Sequence, residues 1–480
     1  MIGGKVIASG TYGCILSPAL PCAGEIKRPE HTVSKLMRES DAVDEMDEIT
    51  SIKKRTAKIP NHNNYFILNQ IKMCPPSKLK AEDVRYFDSR CHALTRHGTI
   101  KRYNVNDDTI LNGLRVLQLP DGGFDITHYW HNSQISSKLF IEMNTQMVGL
   151  LVNGISKLND VGVLHQDLKA ANIVYSTNTK LARVIDWGLS TVINGKRVPR
   201  GVRGWPVIYN QPFCNLVFHN YIQDIYNNAM KSRKIKDLIS MYYGSDLISY
   251  LQPIIRNMFM SLIFVDKHTI NKYIGSFGHI HYLEKMLEKI PNAVLHSPFR
   301  SVSKLISNHI AKVLLTYSIK DNKVGPFREQ EFFNTVYRHN CDIIGFLSSY
   351  VDLIMNSRTP DTIVARIIEI MNKYYFDPNY AVVKIDVLEL GKELMELNKI
   401  MNPTAGVTPI PEIVVEREKD VLTWSQTKRC PRGMRRDKKT MKCIKKELAK
   451  AAPHAKTRRK RCPNGTRRNK KTGNCDPNNK

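Results

Sequence analysis

From His165 the chain reads His-Gln-Asp-Leu-Lys-Ala-Ala-Asn, and after a short apolar stretch Val-Ile-Asp-Trp-Gly occupies residues 184–188. These residue types at this spacing suit phosphoryl transfer. One carboxylate faces an attacking hydroxyl, while an amide later in the same loop and a second carboxylate on the next hairpin hold metal ions on the phosphates. Asp167, Asn172 and Asp186 stand in those three places.

Several elements are needed to position them. A helix over residues 137–161 carries Leu139, Met143, Met147, Leu150, Leu151, Ile155 and Leu158 at helical spacing, and so delivers a buried face and then the His165 loop. Upstream, residues 5–15 read as strand, glycine turn, strand. Residues 32–36 form a short β-branched strand that contains Lys35. An acidic helix follows over residues 41–55, with Ile49 and Ile52 on one face beside Glu48, and Glu45 one turn earlier. Residues 114–123 are a strand running into a Pro-Asp-Gly-Gly turn.

The 480-residue chain is 42% hydrophobic, enough for one large core or two ordinary ones. No apolar run approaches the ~18 residues of a membrane span, and the first residues lack a basic stretch followed by an apolar one. Neither secretion nor membrane insertion is expected, and Ile2 in place of glycine breaks the myristoylation pattern. The net charge is +28, of which roughly +17 falls within residues 416–480. Cys14, Cys22, Cys74, Cys91, Cys214 and Cys341 are scattered without close pairing, which suits the buried free thiols of an intracellular protein.

The His165 and Asp186 motifs, with the glycine turn and the Lys35 strand before them, resemble the eukaryotic-type protein kinase superfamily over residues 1–212, and more weakly to about residue 400. The resemblance implies an α+β, bilobal fold. A small β-rich lobe (1–120) carries the ATP side; a large helical lobe (121–402) follows, then a linker (403–427) and a basic tail (428–480). By this likeness Asp167 is the catalytic base and Lys169 a charge stabiliser, while Asn172 and Asp186 bind Mg²⁺, with Mn²⁺ as a substitute. ATP meets the glycine loop at Ala8, Gly10, Gly13 and Ile15. Lys35 contacts its phosphates and is paired by Glu48, with Glu45 in reserve. Leu117 stands as gatekeeper, and the backbone near Leu119 meets adenine. Lys169 is the serine/threonine form, so the substrate is a protein Ser or Thr hydroxyl.

Four departures qualify the likeness. Ala8 stands where the first glycine usually is, and Gln166 replaces an arginine that binds a phosphorylated activation loop. Trp187 replaces Phe, and residues 209–213 (Tyr-Asn-Gln-Pro-Phe) lack the usual buried Glu–Arg pair. Such departures resemble those of the divergent kinases of giant and other large DNA viruses, and the resemblance implies host cytoplasm or virion as the location. Two segments resemble the helix that anchors the larger lobe, one with Asp342 and one with Asp386; Asp342 is preferred because it leaves room for closing helices. An insertion over about 214–338 then follows, helical by pattern, for example from Leu247 to Ile263.

The tail is a tandem repeat, Cys-Pro-x-Gly-x-Arg-Arg-x-Lys-Lys-Thr-x-x-Cys, from Cys430 to Cys443 and again from Cys462 to Cys475. Each unit is too small to form a core, and its cysteine pair is spaced too widely for an ordinary zinc site, so a disulfide closure is favoured over zinc if the protein reaches an oxidising place such as an assembled particle. Its cations suit nucleic acid or another acidic partner, and no aromatic residue is present for base stacking. Two further classes share these features. One is a pseudokinase scaffold of the virion; the other is a small-molecule phosphotransferase of the aminoglycoside or choline kinase type.

Overall fold

The computed structural model describes residues 5–403, apart from 97, 132–134, 205, 242–245, 265–276, 291–297 and 322, and four short strands beyond them. Contacts divide the chain into two units, Met1–Ile413 and Val414–Lys480. The first is α+β, an antiparallel sheet followed by helices.

Its sheet is built from β1 (Lys5–Ser9), β2 (Gly13–Ser17), β3 (Thr32–Arg38), β4 (Lys72–Cys74) and β5 (Leu114–Pro120), in the order β1-β2-β3-β5-β4. Gly13 sits where β2 crosses β3: a Cβ there would lie 2.5 Å from the Met37 side chain and 2.8 Å from the Leu36 carbonyl oxygen. Its bareness therefore serves strand packing. At Gly10 an added Cβ would meet only the Gly13 oxygen, at 3.8 Å, so the tip of the hairpin is open. The register sets Lys35 opposite Leu117 and Ile15 opposite Lys35.

One side of the sheet closes on Phe87, Cys91, Leu94 and Val105 from a loop-rich segment with short helices. Two disulfides tie that layer, Cys14–Cys91 and Cys22–Cys74. The expectation of free thiols is corrected for these four: β2 and β4 bring pairs into contact that lie 77 and 52 residues apart in the chain. Cys214 and Cys341 are free and buried. Against another part of the sheet, Met37 and Leu117 pack on Ala42 of α1 (Glu39–Thr56).

The helical part has its own core. Beyond β6 (Phe124–Asp125) and α2 (Ile126–His131) comes α3 (Ser137–Leu150), capped by the Ser136 hydroxyl accepting from the Leu139 amide. It runs through a π turn, Leu151–Ile155, into Ser156–Leu158, a little short of the expected end. β7 (Val163–Leu164) leads into the His165 loop; β8 (Ile173–Ser176) and β9 (Leu181–Val184) form the hairpin before Asp186. β10 (Thr191–Val192) pairs back on β7. Gly123 lies at φ 91°, and a Cβ on it would be 2.2 Å from the Tyr175 oxygen, so this turn lies directly on β8.

The expected insertion is helical: α4 (Asn220–Met230), α5 (Arg233–Met241), α6 (Asp246–Ile263), α7 (Phe277–Glu288) and α8 (Pro298–Thr316). A hairpin of β11 (Ile319–Lys320) and β12 (Lys323–Val324) follows. Then come α9 (Arg338–Ser348), α10 (Val351–Met355), α11 (Asp361–Met371) and α12 (Val387–Met401). No helix among the described residues is long and apolar enough to cross a membrane.

In the second unit, Met434–Arg436 pairs antiparallel with Cys443–Lys445, and Thr466–Arg468 with Cys475–Pro477. Each repeat thus contributes to one antiparallel strand pair. The bonding state of Cys430, Cys443, Cys462 and Cys475 falls outside the described residues.

Candidate active site

The His165 loop is held from below by one carboxylate. Asp342 on α9 accepts from the backbone N–H of His165 and of Gln166, each at 2.9 Å. Burial raises its carboxyl, while His165 and the two amides pull it back down. Three residues on, Gly345 permits the approach: a Cβ there would lie 2.9 Å from both Cβ and O of Leu168. Asp342 is therefore the anchor. Asp386 caps α12 instead, accepting from Leu388 and Glu389 N–H.

Asp167, only 8% exposed, is surrounded by nitrogen donors. Lys169 Nζ lies 3.0 and 2.8 Å from its two oxygens, and Asn172 Nδ2 gives 2.9 Å to Oδ2 and 2.7 Å to the backbone carbonyl. The third residue on Asp167 has no counterpart in the sequence reading. Asn210 Nδ2 donates to Asp167 Oδ1 at 2.8 Å and to the Leu168 carbonyl at 3.1 Å. Next to it Gln211 Nε2 donates to the Gln166 carbonyl at 2.6 Å, and Asn215 donates to Gln211 Oε1 at 3.0 Å. Where a charged pair is missing, neutral amides tie residues 209–215 to the loop.

Asp186 adopts φ 60°, a left-handed conformation uncommon for a residue with a Cβ, and its side chain is 47% exposed. The Ile185 amide donates to the Asn172 carbonyl at 3.0 Å, fastening the two motifs together. Below them His165 Nε2 lies 3.1 Å from the Ile185 carbonyl, and Trp187 packs edge-on against His165 and Phe66. Trp187 thus fills a buried site, with its Nε1 lacking a partner among the described residues.

Lys35 reaches this centre from the sheet. Its Nζ is 4.0 Å from Asp186 Oδ1 and makes two bonds, 2.9 and 2.6 Å, to the carboxylate of Glu45. The expected partner, Glu48, is corrected to Glu45. The rotation of α1 against β3 points the earlier turn at the lysine. Burial raises the Glu45 carboxyl and Lys35 lowers it. Glu48 is half-buried and makes no such pair; burial first, then the charges of Glu45 and Asp186, push it up to about 7.

The remaining predicted residues line the sheet side. Ala8 is exposed and pairs across the hairpin with Ile15; Gly10 N–H closes the turn on the Gly13 carbonyl at 2.9 Å. Leu117 is fully buried, Leu119 is half-buried, and Gln118 Nε2 donates to the Leu20 carbonyl at 2.9 Å.

Among the described residues, no group of three or more His, Cys, Asp or Glu converges as a metal cage. Asp186 and Asn172 instead offer a carboxylate and an amide oxygen, hard donors suited to a small divalent cation that shares its shell with phosphate oxygens. Asn172 spends its nitrogen on Asp167, which leaves Oδ1 as the atom able to face a cation.

Gln166, at φ 64° and buried, holds the following segment. Its Nε2 lies 3.0 Å from the Leu189 carbonyl, 2.8 Å from Thr191 Oγ1 and 3.3 Å from the Gly201 carbonyl. Arg203 anchors the far end on Glu329 with two bonds of 2.7 and 2.5 Å.

No protein-family model matches the chain, and a search of curated proteins returns no match.

Proposed function

We propose that the chain is an ATP-dependent serine/threonine protein kinase on a bilobal kinase-like fold, with the sheet and α1 forming the nucleotide lobe and the later helices the larger lobe. The observation that carries this reading is the setting of Asp167: a buried carboxylate held by Lys169, Asn172 and Asn210. The Lys35–Glu45 pair supports it, reaching Asp186 from a separate element. A solitary loop motif has no need of that convergence.

In this reading the acceptor hydroxyl passes its proton towards Asp167 as its oxygen attacks the γ-phosphorus. The bond to the β,γ-bridging oxygen breaks and ADP leaves. Lys169 offsets charge on the transferred group, and Lys35, oriented by Glu45, holds the α- and β-phosphates. Mg²⁺ or Mn²⁺, bound through Asn172 and Asp186, would neutralise phosphate charge. The cationic repeats of the second unit supply a contact for a polyanion such as nucleic acid, whose binding should weaken steeply with salt.

The test is incubation with γ-labelled ATP, divalent cation and a mixture of protein substrates, with Asp167→Asn and Asp186→Ala alongside. Label on Ser or Thr that vanishes in both variants is expected. Label only on small alcohols, or none with no ATP binding, would overturn the proposal.

A further inference from the structure

Residues 209–210 join the His165 loop to the inserted helices. Asn210 bonds Asp167; its neighbour Tyr209 is covered by α7. The Tyr209 ring lies 4.4 Å from that of Tyr282 and 5.8 Å from that of His279, centroid to centroid. All three rings are partly exposed. Behind them Ile280 and Leu283 are buried, and the Tyr282 hydroxyl donates to Asp352 Oδ1 on α10 at 3.1 Å, so α7 is fixed to the helical core. The Tyr375 hydroxyl donates to the Tyr209 carbonyl and pins the backbone.

The three rings present uncharged surface. Burial pushes the Tyr209 and Tyr282 phenols well up, and the polar end of Tyr282 is turned inward to Asp352. Burial, followed by the charge of Lys169, lowers His279 below its ordinary value while Asp167 opposes this, so at neutral pH the imidazole is uncharged. The link to the loop is short: Tyr209, packed on Tyr282, is followed directly by Asn210, which bonds Asp167. On Asp167 itself, Lys169 and Asn172 belong to the phosphate side in the proposed reaction, which leaves the Asn210 side for the acceptor.

Resting on the kinase reading, we propose that α7 of the insertion is the acceptor wall of the site, where Tyr209, His279 and Tyr282 bind an apolar or aromatic side chain flanking the phosphorylated Ser or Thr. The platform holds the chain so that its hydroxyl meets Asp167. His279 and Tyr282 are positioning residues.

The experiment uses the full chain, Mg²⁺-ATP and a peptide library with Ser or Thr fixed at the centre and neighbouring positions varied. The wild type should select a large apolar or aromatic residue at one flanking position. Tyr282→Ala and His279→Ala should erase that selection and raise peptide KM about tenfold, with kcat and ATP affinity little changed. Tyr282→Phe, which keeps the ring and loses the Asp352 bond, should retain selection. ATP binding reports whether each variant is folded, and His279→Ala carries the test if Tyr282→Ala is not. Phosphorylation with no flanking preference, or with one unaltered in the alanine variants, overturns the inference and leaves the kinase reading intact. No phosphotransfer by the wild type overturns both.

Discussion

Asn210 Nδ2 lies 2.8 Å from Oδ1 of Asp167, a bond between residues 43 apart in sequence that helps to orient a buried carboxylate. Replacing Asn210 with Ala leaves that oxygen held by Lys169 alone. In the proposed reaction kcat should fall roughly 10- to 100-fold while ATP affinity stays near wild type. Steady-state kinetics with both substrates varied measures this, and an unchanged kcat would remove Asn210 from the site.

Lys35 is bound by Glu45 and not by Glu48. Glu45→Ala leaves a largely buried ammonium group with only the 4.0 Å contact to Asp186, so in the proposed reaction kcat/KM for ATP should drop on the order of 100-fold. Glu48→Ala should cost far less. Equal losses would contradict the pairing.

The Glu48 carboxyl gives a pH signature with a definite sign. Its ordinary value is 4.5 and the fold raises it to about 7, so the folded state prefers the protonated form. Its contribution to stability is full below the unfolded value and is lost as pH rises through about 7. Glu48→Gln should thus match wild type near pH 5 and exceed it near pH 8, read as urea midpoints of nucleotide-free protein. A larger gain at pH 5 would refute the assignment.

Cys14–Cys91 and Cys22–Cys74 close loops of 77 and 52 residues around the sheet. In the chain-entropy account each contributes up to about 4 kcal/mol, so Cys14→Ser with Cys91→Ser should lower the thermal midpoint of the sheet region. Peptide mapping without reduction should recover both linkages, with Cys214 and Cys341 alkylated only after unfolding. Free thiols at Cys14, Cys22, Cys74 and Cys91 in the native protein would exclude the pairing.

What could be read from the chain alone follows the range of the interactions. His165, Asp167, Lys169 and Asn172 occupy one contiguous loop, and α1, α3 and α6 announce themselves by local periodicity. Asp342 could be shortlisted with Asp386, but only its bonds to His165 and Gln166, 177 and 176 residues away, distinguish it. Asn210 and Gln211 carry no periodic or motif signal, since their partners are set by how the chain returns to the loop. Glu45 and Glu48 lie less than one turn apart, and the choice between them depends on how α1 rolls against β3. The cysteine pairs depend on strand order, which no spacing of cysteines encodes.

Gln166→Ala removes three bonds that hold the segment from Leu189 to Gly201. Proteolysis within that segment should accelerate and kcat should fall about tenfold or more, whereas phosphatase treatment of the wild type should change neither. Activation by added phosphate on Ser190 or Thr191 would sink this prediction.

An uncharged amide has no second state for a cell to write or erase. Thr191 gives its hydroxyl oxygen to that same amide, so the two close on each other without any charge. In the proposed reading, a segment held this way is in place as soon as the chain has folded, and output would follow how many copies are made and how much nucleotide they meet.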